Sequence, residues 1–251
     1  MQNLYELSEI VDKRFSHGEH IPQNIINSVK EIVSTGGYIG MAQINPIAGN
    51  VEYNAKKIAK YIKYANKIGL EMVVFPELAL MGYPIEDTID RHPIIVEENI
   101  KWLKGLAKIT ANTIALVGFI EPRKPDAEGK KYFNSVAILK DKKIVGIVRK
   151  SLLPNYSEFN DYRYIEPSPI VGVQPASTLG NFDRKIVVDC KKSFEKYGIS
   201  ICEDCWNNKE FFDKNLYEKD PIDELAQDKP EVFINCSASP TRAKKEQLKH
   251  N

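Results

Sequence analysis

Tyr197-Gly198-Ile199-Ser200-Ile201-Cys202-Glu203-Asp204-Cys205-Trp206 is a short apolar run that stops at a cysteine flanked by carboxylates. A strand that ends this way delivers a nucleophile to the mouth of a sheet. Two earlier runs end similarly in reactive groups. Val73-Val74-Phe75-Pro76-Glu77 closes on a carboxylate, and Ile144-Val145-Gly146-Ile147-Val148-Arg149-Lys150 closes on an amine. A carboxylate, an amine and a thiol, each just past a β-run, are the raw material of covalent catalysis, provided the three ends converge.

The surrounding pattern is α/β. Tyr38–Ile44 reads as a strand closed by Asn45-Pro46. Asn54–Ile68 reads as an amphipathic helix with Ile58, Tyr61, Ile62 and Ala65 on one side, stopped by Gly69. Glu71–Phe75 and Thr113–Phe119 are nearly all apolar, as expected of strands buried on both faces. Val96–Ala111 reads as a helix between them. Tyr132–Leu139 and Lys143–Arg149 alternate around Lys140-Asp141-Lys142, which predicts an antiparallel pair. Ser151–Gly180 is a long, aromatic, Pro-rich loop, and loops of that length in a compact domain are more often functional than idle. Ile186–Asp189 and Val232–Cys236 complete the expected strands, and a Lys/Glu-rich helix is expected from near Thr241. The order predicts mixed sheets covered by helices. Ahead of this domain, residues 1–37 read as a helical extension with Ile25, Ile26, Val29, Ile32 and Val33 on one stripe. That helix would pack on the domain's own surface or dock elsewhere.

Composition narrows the function. The chain has 251 residues, 43% of them apolar, enough for a sizeable core. A net charge of +1 supplies no global field for nucleic acid or a membrane surface. No apolar run reaches membrane-spanning length, and the polar, acidic start lacks a secretory pattern, so a cytoplasmic location is expected. The four cysteines (Cys190, Cys202, Cys205, Cys236) are too few and scattered for a disulfide framework. Cys202-x-x-Cys205 lacks the second pair or nearby histidine that a zinc site needs, so no metal is expected. A redox role would want this pair opening a helix, and the intervening Glu203 and Asp204 oppose a low thiol pKa.

Each residue has an ordinary alternative. Glu77 could cap a helix, Lys150 could be solvated, and Cys202 could be a small core residue. Together, in the order Glu…Lys…Cys, they resemble the nitrilase (carbon–nitrogen hydrolase) superfamily, whose signature is a Glu-Lys-Cys triad on an αββα sandwich. Within it the chain is most similar to the glutaminase domain of glutamine-dependent NAD⁺ synthetases. Four segments carry this likeness: Ala42-Gln43-Ile44-Asn45-Pro46 with Gly49 and Asn54; Phe75-Pro76-Glu77-Leu78-Ala79-Leu80-Met81-Gly82-Tyr83-Pro84 with Glu86-Asp87; Lys150-Ser151-Leu152-Leu153-Pro154-Asn155-Tyr156 with Phe159 and Arg163-Tyr164; and Ile201-Cys202-Glu203-Asp204 with Trp206.

The resemblance implies a glutamine amidohydrolase that releases ammonia for NAD⁺ synthesis through a Cys202 thioester. Glu77 is then the general base, Lys150 the oxyanion stabiliser and Cys202 the nucleophile. Tyr156, Ser239 and Lys245 would hold glutamine, and the Glu203 backbone N–H would complete the oxyanion hole. No cofactor is implied. The implied partners are a synthetase chain that receives the ammonia and further copies of the same chain.

Three departures from the family pattern stand beside this. Asp161 occupies the place of a supporting glutamate, and its shorter side chain is expected to withdraw the carboxylate; displacements of roughly 1 Å can cost about a hundredfold in rate. The sequence ends at Asn251, where the family fold continues into further strands, so a domain of residues 38–251 lacking its last strands is expected. The 251 residues contain no ATP-binding synthetase module, so delivery of ammonia to a separate synthetase chain is expected. A truncated, inactive remnant and an amidase acting on another small amide are therefore the alternative readings.

Overall fold

The computed structural model describes residues 22–34, 37–85, 87–155, 160–168, 179, 187–189, 196–207 and 217–239. In chain order these form helix α1 (Gln23–Val33), strand β1 (Ile39–Met41), α2 (Val51–Ile68), β2 (Met72–Val74), α3 (Thr88–Arg91) and α4 (Ile94–Ala107). Strands β3 (Ile114–Pro122), β4 (Tyr132–Lys140) and β5 (Lys143–Arg149) follow, then α5 (Asp161–Tyr164), β6 (Val187–Asp189) and β7 (Lys196–Ile201). A 3-10 turn over Cys202–Cys205, helix α6 (Pro221–Ala226) and β8 (Val232–Cys236) close the described part.

The strands make two mixed sheets. The first has the order β1-β2-β3-β4-β5, parallel from β1 to β3 and antiparallel from β3 to β5. The second has the order β6-β7-β8, antiparallel then parallel. The predicted turn between β4 and β5 forms, with Asp141 and Lys142 both at positive φ (48° and 64°), as a two-residue hairpin of matching twist requires.

Side-chain parity explains the layering. On β4, Val136 and Ile138 join a core that also holds Leu116, Val148, Tyr197, Ile199, Ile201 and Ile234, so this face meets the second sheet. Ala137 and Leu139 point the other way, into a core shared with Ile58, Ile62 and Leu103 from α2 and α4. Strand β4 thus alternates as expected yet is buried along its whole length except at Lys140, because both of its faces are covered. On the outer side of β7, a Cβ at Gly198 would come within 2.9 Å of Leu225 on α6. Helix, sheet, sheet and helix therefore stack in four layers, the αββα sandwich.

Some boundaries differ from the sequence reading. Strand β1 stops at Met41, well before Ile44. Helix α2 begins at Val51, not Asn54, because Asn50 caps it by accepting the Tyr53 N–H at 3.2 Å. Asn54 is instead buried one turn inside. Its Oδ1 accepts the Ile47 N–H (2.8 Å) and its Nδ2 donates to the carbonyls of Ile47 (2.8 Å) and Leu80 (3.1 Å). It thereby ties the loop after β1 to the loop after β2. Helix α4 is shifted to Ile94–Ala107. The long loop after Ser151 contains the short helix α5. Helix α1 lays Ile26 against Ile68, with Tyr64 and Leu70 beside them. Residues 1–21, Cys190 and the helix expected from Thr241 lie outside the described residues.

Candidate active site

The site forms between the two sheets. Glu77 follows β2 in a loop pressed onto β3. A Cβ at Gly118 would come within 2.3 Å of the Leu78 nitrogen and 2.5 Å of the Pro76 carbonyl, so only glycine leaves room for this loop. Lys150 is the residue after β5, and its backbone N–H donates to the Asn134 carbonyl at 2.9 Å, continuing the ladder with β4. Cys202 follows β7 at the start of the 3-10 turn, with φ at +45°. A non-glycine residue held at positive φ on a strand-to-helix turn has the sharp-elbow geometry that presents a nucleophile.

These ends converge. Lys150 is 1% exposed. Its Nζ donates to Glu77 Oε1 at 2.7 Å and to Asp161 Oδ2 at 2.9 Å. Asn134 Nδ2 also donates to Glu77 Oε1, at 2.7 Å. The Ala238 N–H, just past β8, donates to Glu77 Oε2 at 3.2 Å. Tyr83 OH donates to Asp161 Oδ1 at 3.0 Å. The Cys202 thiol lies against Glu77 and Ser237, close enough to hydrogen-bond with both. The Asp161 carboxylate, at the start of α5, thus reaches the amine despite its short side chain.

Burial and charge set the protonation states. Burial alone would push the Lys150 amine down, but the Glu77 and Asp161 carboxylates outweigh it and hold the amine well above its ordinary value. Burial first, and the Glu77 charge second, push the Cys202 thiol up to about 12, with Lys150 opposing them. The thiol is therefore protonated near neutral pH and needs a base before it can attack. The acidic neighbours act elsewhere: Asp204 and Glu203, after burial, help push Cys205 up to about 11.

Asp204 has a role that the sequence did not reveal. Its Oδ1 accepts the Ser151 N–H (2.9 Å) and the Leu152 N–H (2.8 Å), and its Oδ2 accepts the Ile201 N–H at 3.2 Å. One buried carboxylate therefore clamps the segment after Lys150 to the strand that carries Cys202. Burial pushes this carboxyl up to about 6, against the three N–H donors that favour its charge.

Glu203 is buried and accepts the Tyr217 hydroxyl at 2.8 Å. Ser239 lies three residues past β8 and is partly buried. Tyr156 and Lys245 lie outside the described residues. Asn134 and Tyr83 belong to the site, although the sequence pattern does not single them out. A lone amide inside the Tyr132–Leu139 run was the available signal for the first. Among the described residues no group of three or more His, Cys, Asp or Glu side chains is placed to hold a metal ion, and Cys202, Cys205 and Cys236 are free thiols. No helix among them is long and apolar enough to cross a membrane.

A family model described as carbon–nitrogen hydrolase matches residues 38–213. The chain is 37% identical over 171 residues to the glutamine-dependent NAD(+) synthetase of Thermotoga maritima, covering 67% of this chain and 26% of that protein. It is 31% identical over 217 residues to the Synechocystis sp. synthetase, covering 85% of this chain and 36% of that protein. The structure of glutamine-dependent NAD+ synthetase from Acinetobacter baumannii matches 84% of this chain and 34% of its own length, with a TM-score of 0.67 and 25% identity. An amidase from Nesterenkonia sp. AN1 shares the fold at a TM-score of 0.57 and 11% identity. The chain spans about a quarter to about a third of the length of the synthetases it matches.

Proposed function

The chain belongs to the carbon–nitrogen hydrolase family, and from that premise we propose that it hydrolyses the side-chain amide of glutamine and releases ammonia for NAD⁺ synthesis on a synthetase chain or module. The observation that carries this reading is the buried Lys150, which holds Glu77 beside the Cys202 thiol while Asp161 holds it from the other side. The synthetase relatives supply the substrate class and the partner.

Glu77 takes the thiol proton as Cys202 Sγ attacks the amide carbon. A C–S bond forms, and the carbonyl electrons move onto oxygen. Lys150 and the N–H groups of the elbow stabilise that oxyanion. When it collapses, the C–N bond breaks and the amine leaves as ammonia with the proton held by Glu77. Glu77 then deprotonates water, which attacks the thioester. Glutamate leaves, and the sulfur regains its proton from Glu77. Because the thiol rests protonated, attack and proton transfer are coupled. That coupling is the reason the carboxylate and the sulfur must touch.

The test is ammonia release by the purified chain from glutamine, asparagine and simple aliphatic amides, alone and with a synthetase. Release from glutamine well above the others, with a glutamyl adduct on Cys202 detected by mass spectrometry, is expected. Preference for another amide would replace glutamine as the substrate. No release from any amide, with or without synthetase, would overturn the reading.

A further inference from the structure

Glu77 has two proton transfers to make on each half of the cycle, and its two oxygens are not equivalent. Oε1 accepts from Lys150 Nζ and from Asn134 Nδ2, each at 2.7 Å. A carboxylate oxygen offers two lone-pair directions, so Oε1 is filled. Oε2 accepts the longer bond from the Ala238 N–H, 3.2 Å, which leaves it a lone pair for the thiol proton. We infer that Asn134 is a positioning residue of this site: its amide, together with Lys150, anchors Oε1 of Glu77 and assigns the proton traffic with Cys202 to Oε2. This inference rests on the amide-hydrolysis reading.

A second observation supports it. Asn134 is 1% exposed, and its Oδ1 is buried without a hydrogen-bond partner among the described residues. Burying an amide with an unmet acceptor is costly, and an apolar side chain would avoid that cost. The residues of the same parity further along β4, Val136 and Ile138, are apolar. Flipping the amide would set Oδ1 against the Glu77 carboxylate, so the orientation is chemically determined. What Asn134 gains in return is its bond to Glu77. Its backbone carbonyl also accepts the Lys150 N–H at 2.9 Å, so one residue aligns both the base and the cation.

The other titratable groups facing Glu77 are Lys150 after β5, Asp161 on α5, Tyr83 in the loop after β2, Cys202 on the elbow and Cys236 on β8.

The experiment uses the full chain with Asn134→Ala, Asn134→Ser and Asn134→Asp. Two readouts are taken, steady-state amide hydrolysis against pH and the rate of Cys202 alkylation by chloroacetamide. Asn134→Ala is expected to lower kcat by about 10–100-fold. KM should stay within about threefold, with an unchanged melting temperature, and alkylation should slow by about tenfold. Asn134→Ser, which keeps a short donor, should recover part of both. Asn134→Asp is isosteric and puts a second carboxylate beside Glu77. The pair should share a proton and move the acid limb of kcat up by about one pH unit or more. If the wild-type chain hydrolyses no amide, the functional reading fails, and alkylation alone still decides the role of Asn134. Wild-type kcat and wild-type alkylation in a folded Asn134→Ala would overturn the inference. So would losses that merely follow a falling melting temperature in all three variants.

Discussion

Arg149 and Lys150 are neighbours in sequence, and both are buried cations bound to carboxylates, yet their surroundings differ in charge balance. Arg149 meets one carboxylate in a two-point contact, Nε to Glu121 Oε2 at 2.7 Å and Nη2 to Oε1 at 2.6 Å. Ser135 Oγ donates to the same Oε2 at 2.8 Å. The Arg149 guanidinium also lies 5.4 Å from the centre of the Phe133 ring. One positive charge meets one negative charge, and the fork-shaped geometry leaves nothing free to move. Lys150 meets two carboxylates, Glu77 and Asp161, with a thiol against one of them. That cluster holds one negative charge more than positive. A balanced buried pair is a structural device, whereas an unbalanced one keeps a proton acceptor available.

The contrast can be broken from either side. The largest effect is expected at the Lys150 cluster. Cys202→Ala should lower amide turnover by about 10⁴-fold or more while leaving the melting temperature nearly unchanged, and Cys205→Ala should retain most activity. Equal losses in the two would remove the distinction between the buried nucleophile and its exposed neighbour. Kinetics with both variants checks this.

Next comes the balanced pair. Glu121→Ala leaves Arg149 buried without its partner and should cost about 3–5 kcal/mol in denaturant unfolding. Replacing both members, Glu121→Leu with Arg149→Met, should recover most of that loss. A double variant no better than the single one would mean that the pair does more than balance charge.

The smallest effect is expected at Asp204. Asp204→Ala leaves three backbone N–H groups without their acceptor and should cost about 1–3 kcal/mol. The pH dependence has a definite sign. Folding raises this carboxyl from its ordinary value to about 6, so the folded chain holds that proton more tightly than the unfolded chain. The contribution of Asp204 is therefore full at low pH and falls as pH rises toward the folded pKa. The stability gap between wild type and Asp204→Ala should narrow between about pH 4 and 6 and stay constant above that. Urea melts at several pH values measure it.

The sequence made the ends of three strands visible, with Glu77, Lys150 and Cys202 just past them, and the family resemblance joined the three. Each follows an apolar run, and runs of that kind do not depend on knowing their neighbours. The β4–β5 hairpin was legible for the same local reason. Asn134, Tyr83 and Asp204 were not, because their meaning comes from which segment lies opposite them. Asn134 becomes a partner of Glu77 only once β4 lies beside both β3 and β5. Asp204 looked like a charge that would disturb a thiol, and only the docking of the two sheets turns it into a clamp. Asp161 shows the converse dependence. Side-chain length suggested a withdrawn carboxylate, whereas the carboxylate, at the start of α5, lies 2.9 Å from Lys150 Nζ.

The bond from the Ala238 N–H to Glu77 joins residues 161 positions apart in the chain. Synthesis runs from the N-terminus, and domains form as they emerge. The residues that flank the thiol on the first sheet, Glu77, Asn134 and Lys150, are thus made well before Cys202, and Ala238 comes later still. A growing chain carries its acid and its cation early, and it acquires the sulfur and the final backbone donor only when the second sheet closes over them. Reactivity at Cys202 would therefore report that the chain has been made and folded at least as far as Ala238.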